Sequence, residues 1–183
     1  MSTDLEIRIA AINWLNDQIK IKGDVLPREL LRKGFRFRGT RIPLVSPQGI
    51  FKPKEMELPL TISTTPDGPY EDSFNQDDQL LYKYRGTDPM HRDNVGLREV
   101  MQKELPLIYF HGIIPGRYLA IFPVYIIKDN IQDLSFTVVA DEKVIHLDEK
   151  DSEFIGVEGK GRRYYITKQV KQRLHQRGFR AGP

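Results

Sequence analysis

Residues 106–128, PLIYFHGIIPGRYLAIFPVYIIK, decide the fold reading. Two runs dense in Ile, Tyr, Phe and Val flank Pro115-Gly116. Proline pre-sets φ for a turn and glycine accepts the positive φ that follows, so 106–112 and 117–128 are predicted to be core strands joined at that turn. Working outward, 80–84 and 135–140 have the same strand-forming character. Asp93 or Asn94 can cap a helix running to about Glu104. Strand, helix, then three strands is the order of an α+β domain with a mostly antiparallel sheet and a flanking helix.

The N-terminal part reads differently. Leu5, Ile9, Ile12, Leu15 and Ile19 recur at helical spacing and predict an amphipathic helix over 4–20. Pro27 suits a first helical position and Gly34 a stop, which gives a short helix at 27–33. In FRFRGTRIPL, residues 35–44, the period is two and Gly39-Thr40 has the form of a two-residue hairpin turn. Phe35 and Phe37 fall on one face, Arg36 and Arg38 on the other. Helix, short helix and basic hairpin make a winged-helix-like arrangement. Residues 66–79 are acidic and rich in turn-formers, an exposed loop and the expected subdomain joint. Residues 166–179 have helical character with cations on several faces.

Composition narrows the function. The 183 residues, 39% hydrophobic with 10% aromatic, can bury a core. No apolar run reaches the roughly 18–20 residues of a membrane span, and the first residues lack a signal-peptide pattern. A soluble, cytoplasmic protein with no membrane partner is the expectation. The absence of cysteine removes disulfides, thiolate catalysis and cysteine-ligated zinc. The net charge of +3 is segregated: residues 1–54 carry +6, 55–159 carry −11 and 160–183 carry +8. Two basic ends around an acidic middle suit a polyanion that meets localised patches and not the whole surface.

Catalytic patterns are weak. Asp67 with Asp141-Glu142-Lys143 or Asp148-Glu149-Lys150 has the letters of a magnesium-dependent nuclease core, but such triplets arise by chance in a chain that is 29% charged. His91, His111, His146 and His175 show no metal-ligand spacing. The expectation is a chain with no catalytic residues, no metal and no cofactor. Binding has better support. Lys33, Arg36, Arg38, Arg41 and Lys52 cluster on or beside the hairpin, where cations contact successive phosphates or serve to guard a sheet edge. In YRGTDPMHRDN, residues 84–94, Arg85, His91, Arg92 and Asn94 precede a helix N-terminus suited to an anion; equally, Asp88 and Asp93 can pair those arginines into a structural knot.

The stretch 84–98, YRGTDPMHRDNVGLR, followed by PLIYFHG at 106–112, resembles the N-terminal region of bacterial HNH endonucleases. PQGIFKP at 47–53 and RLHQR at 173–177 share in it, so the resemblance covers most of residues 8–180. It implies a DNA-recognition domain over 1–165 and a basic helical connector over 166–183 leading to an HNH nuclease domain that this chain lacks. Proteins so organised are similar to type IV, modification-dependent restriction enzymes of bacterial defence. Among their readers, the sulfur-binding domain that recognises phosphorothioate DNA fits best. The implied partner is double-stranded, modified DNA, and the chain alone is expected not to cut it. A sulfur in place of a phosphate oxygen favours an apolar cup, for which Tyr109, His111, Pro115 and Tyr118, with Pro89, are the candidates. Arg85, His91 and Arg92 would form its rim. The alternative is an SRA-like or PUA-like reader of methylated bases, stacking a flipped base on Tyr84, Tyr109 or Tyr118. A magnesium-dependent nuclease and a generic protein-interaction module are the readings from other classes.

Overall fold

A computed structural model of the chain describes residues 3–66 and 79–140. The elements are α1 (Thr3–Lys22), β1 (Val25–Pro27), α2 (Arg28–Lys33), β2 (Phe35–Phe37), β3 (Thr40–Ile42), β4 (Ile50–Phe51), β5 (Thr61–Thr64), β6 (Gln79–Lys83), α3 (Arg92–Gln102), β7 (Leu107–Ile114), β8 (Arg117–Asn130) and β9 (Ser135–Ala140). The expected joint around 66–79, the carboxylate–lysine triplets, His146, His175 and the C-terminal basic helix fall wholly or almost wholly outside the described residues.

The fold is α+β, as the strand and helix order implies. One sheet runs β4-β5-β7-β8-β9-β6, with β1 alongside the first part of β8, and β2-β3 form a separate hairpin. All pairings are antiparallel except β5 with β7. The long strand β8 sets the geometry. Its first residues pair with β1 and the end of β7 (Leu26↔Tyr118, Gly112↔Tyr118), and its second half pairs with β9 (Val124↔Ala140 to Asn130↔Ser135). The two ends of β8 therefore face different neighbours. The sheet also curls: Tyr82 of β6, at one edge, donates its hydroxyl to the Ser63 carbonyl of β5, near the other edge, at 3.0 Å.

Alternation along β7 and β8 divides the core in two. Leu107, Tyr109, Leu119 and Ile121 face the inside of the curl with Leu80, Tyr82 and Phe136, and Leu97 and Val100 of α3 cover it. Ile108, Phe110, Tyr118 and Ala120 face outward against Ile7, Ala11 and Leu15 of α1 and Leu31 of α2. Burying each such aliphatic or aromatic side chain contributes about 1.5–3 kcal/mol. Arg8 is buried among them. Its Nη1 donates to the Pro106 carbonyl (2.8 Å) and Nη2 to that of Pro59 (2.6 Å), tying α1 to the segments that lead into β7 and β5. Burial pushes this guanidinium down to about 10 despite Asp4 nearby, at 3.4 Å.

Besides the unexpected short strands β4 and β5, the structure differs from the expected elements as follows. In α1 the buried residues are Ile7, Arg8, Ala11 and Leu15, whereas Ile9 is exposed, because the helix seats through Arg8 and not along the Leu5–Ile9 line. Residues 25–27 form a strand on β8 before α2 begins at Arg28. The hairpin turn is Arg38-Gly39, with φ of 49° and 83°, and Phe37 faces Thr40 across it. Two positive φ values in succession match the right-handed twist of a hairpin. The cap of α3 is His91, whose Nδ1 accepts from the Asp93 amide at 3.1 Å, and not Asp93 or Asn94.

Candidate nucleic-acid interface

The basic hairpin begins where α2 ends. Gly34 makes that transition: its φ is 68°, and a Cβ there would stand 1.8 Å from the Ile42 carbonyl oxygen. Phe35 and Ile42 anchor the base of the hairpin in the core and Phe37 packs against it, which leaves the cations of the hairpin in solvent. Arg36 and Arg41 are exposed and directly opposite each other in the β2–β3 register. Like charges so placed repel. Arg36 has only the Gly39 carbonyl, at 3.3 Å, and among the described residues no carboxylate pairs with either. Arg38 is not their companion. The turn carries it away, over the Phe37 ring and onto Glu6 of α1 at 2.8 Å. Lys33 is exposed at the end of α2. Lys52 spends its ammonium on the Met56 carbonyl at 2.9 Å, holding its own loop.

At the other end of α2, Arg28 donates its backbone amide to the Gly116 carbonyl (2.9 Å) and its Nη1 to the Tyr118 hydroxyl (3.1 Å). Arg117 stands across from Pro27 and is exposed. Arg117 and Arg28 at one end of a helix about 9 Å long, and Lys33, Arg36 and Arg41 at the other, make a basic strip. Glu29, the acidic residue within α2, is neutralised by Arg32 at 2.8 Å.

On the inner face, near the β7–β8 turn, lie Thr64, Tyr109 and His111. Parallel pairing of β5 and β7 sets Thr64 opposite His111. The Tyr109 hydroxyl is 2.9 Å from both Thr64 Oγ1 and His111 Nδ1, and those two are 3.4 Å apart. Tyr109 is buried, while Thr64 and His111 are partly exposed. Gly112, beside them, packs so closely on Pro66 and the Thr64 carbonyl that a Cβ would come within 2.7 Å of both. The result is a hydrogen-bonding cluster of hydroxyl, phenol and imidazole with one aromatic wall.

The expected modification cup does not assemble. Tyr109 and Tyr118 lie on opposite faces of the sheet, in separate cores, and Pro115 projects at the hairpin tip. Nor does the expected rim reach it. Arg85, Pro89, His91, Arg92 and Asn94 gather at the far end of β8, around Asp129. There Arg98 donates to Asp129 through Nε (2.5 Å) and to the Pro89 carbonyl through Nη2 (3.3 Å). Tyr84 donates its hydroxyl to the same carboxylate, and burial with that carboxylate raises its pKa. Arg85 pairs with Asp93 at 2.5 Å. Asn94 is fully buried; its amide oxygen accepts from the Arg85 amide, and its Nδ2 donates to the Arg85 and Asp88 carbonyls. This is the structural knot. Arg92 alone of the group is largely free, 84% exposed and 3.9 Å from Asp93. Thr64, Arg28 and Arg117 were not among the sequence candidates; the parallel β5–β7 pairing and the docking of Arg28 on the Gly116 carbonyl that bring them in have no local sequence signal. Among the described residues no group of three His, Asp or Glu side chains is placed to hold a metal ion.

No protein-family model matches the chain, and no curated protein matches it in sequence. Among solved structures, the SUVH5 SRA domain in complex with methylated CHH DNA is similar, with a TM-score of 0.41 and 20% identity, over 60% of this chain and 87% of that one. A likeness at that level carries no argument about function.

Proposed function

We propose that this chain is a DNA-binding module that reads a modification on duplex DNA, with the strip that runs from the β7–β8 turn along α2 to the β2–β3 hairpin as its contact face. The observation that carries the reading is the Arg36–Arg41 pair. Two exposed guanidiniums opposite each other, without a carboxylate among the described residues, cost the free protein a few tenths of a kcal/mol or more, about 0.2–1. A phosphate backbone turns that repulsion into attraction and releases counterions. The ligand class we assign is DNA carrying a modified base. The cluster of Thr64, Tyr109 and His111 supports a reader of base edges, since the partly exposed hydroxyl and imidazole, held by the buried Tyr109 phenol, can exchange hydrogen bonds with an unstacked base. A sulfur cup requires apolar surface gathered at one place, and Tyr109, Tyr118 and Pro115 do not gather. On this reading a separate nuclease, of the HNH kind that the sequence resembles, performs any cleavage.

The test is a titration with three matched duplexes at near-physiological salt: unmodified, methylcytosine and single phosphorothioate, in several flanking contexts. Preference for the methylated duplex is the expected result. Preference for the thio duplex would reinstate the sulfur reader, equal salt-sensitive binding would leave a generic DNA binder, and no binding would refute the reading outright.

A further inference from the structure

The β7–β8 turn has features that phosphate contact does not use. Ile114, the last residue of β7, is 57% exposed, and Pro115 and Gly116 beyond it are exposed too. A lone exposed isoleucine is ordinary on a protein surface. This one is held rigidly at a projection. The β7–β8 register shifts between Gly112 and Ile114, and alternation along β7 packs Ile113 against the inner core while Ile114 turns out. Pro115 fixes its own φ, and Gly116 at φ 79° closes the turn. The Gly116 carbonyl is tied to the Arg28 amide at 2.9 Å, and β1 braces β8 through the Pro27↔Arg117 pair. The tip is thus a stiff apolar point, with little conformational entropy left to lose.

Cations flank it. Arg117 follows the turn, and Arg28 is aimed by the Tyr118 hydroxyl at 3.1 Å; neither has a carboxylate partner among the described residues. A protein-binding tip gains little from two unpaired cations, whereas a point driven between stacked bases needs the phosphates on either side held. Ile114 also lies on the same strand as His111, about 10 Å further along.

We propose that the β7–β8 tip is a wedge: Ile114, backed by Pro115, enters the duplex at a base step and unstacks it, while Arg28 and Arg117 hold the flanking phosphates. This inference rests on the DNA-binding reading and adds to it a deformation of the duplex at a named residue. The phosphate contacts of the hairpin and the wedge are then distinct functions of one face. Removal of the first weakens binding to all duplexes, and removal of the second spares the salt dependence but not the distortion.

The experiment places 2-aminopurine at successive positions of the duplex that binds best and follows its fluorescence, which rises on unstacking. Wild type is expected to give a several-fold rise at one step when saturated. Ile114→Ser is expected to bind more weakly with the same salt slope and to lose most of that rise at saturation. Ile114→Phe is expected to keep it, and so is Ile127→Ser, a control at an exposed isoleucine elsewhere on β8. An undiminished rise with Ile114→Ser, or DNA binding by wild type with no rise at any position, would overturn the wedge while leaving the DNA reading intact. Failure of wild type to bind any duplex would overturn both.

Discussion

Asn94 shows how one side chain can read as a ligand group in sequence and as a lock in structure. Its side chain is fully buried and makes three hydrogen bonds to the 85–88 turn. Asn94→Ala leaves those backbone groups without their partner, a loss of about 1–3 kcal/mol by the usual cost of an unsatisfied buried group. A lowered urea midpoint with unchanged DNA affinity of the folded protein is the expected outcome; lost affinity in a stable variant would return Asn94 to the interface. An amide before a helix has no local signal that separates these roles, since burial decides them. Asp4 supplies a second residue-scale test. Burial holds its carboxyl above the ordinary 3.8, against the pull of Arg8. The folded state therefore binds that proton more tightly, so the contribution is present below the unfolded value and is lost as pH rises through the folded one. The stability of wild type relative to Asp4→Asn should fall as pH rises above the ordinary carboxylate value, measured as paired urea midpoints. A rising difference would contradict the assignment.

The elements divide according to what their neighbours supply. The strands β7, β8 and β9, rich in β-branched and aromatic residues, were legible with ends within about two residues. The strands β1, β4 and β5 were not. They have two to four residues each, proline flanks or ends them, and pairing partners distant in sequence define them. The hairpin was legible as a basic element, yet its turn lies one residue earlier than expected. That single step moves Arg38 from the Arg36 face to Glu6 and leaves Arg41 opposite Arg36. Arg36→Ala and Arg41→Ala should each lower DNA affinity on every duplex and reduce the salt slope by about 0.9. Each should also leave the fold as stable as before or more so by ~0.2–0.5 kcal/mol, because repulsion is relieved. Arg38→Ala should change the slope less. Equal slopes for all three variants would mean that the cross-strand pair has no special part.

At the scale of the whole molecule, the curl and the stagger of β8 decide which candidates share a site. Tyr109 and Tyr118 are close in sequence and were expected in one cup, but register across a turn with a bulge sends them to opposite faces. Arg85 and His91 were expected beside them and instead stand with Asp129 at the far end of β8. No pattern of spacing in the chain reports where one end of a long strand lies relative to the other. The basic hairpin and the Tyr109–His111 pair were legible as chemistry, but the sheet decides their places, the hairpin with the outer core and Tyr109 with the inner one. The contact face can be measured directly, by backbone hydrogen exchange with and without a bound duplex. Protection confined to residues 27–42 and 111–118 is the expected result. Protection at 85–98 with none at 27–42 or 111–118 would contradict the account.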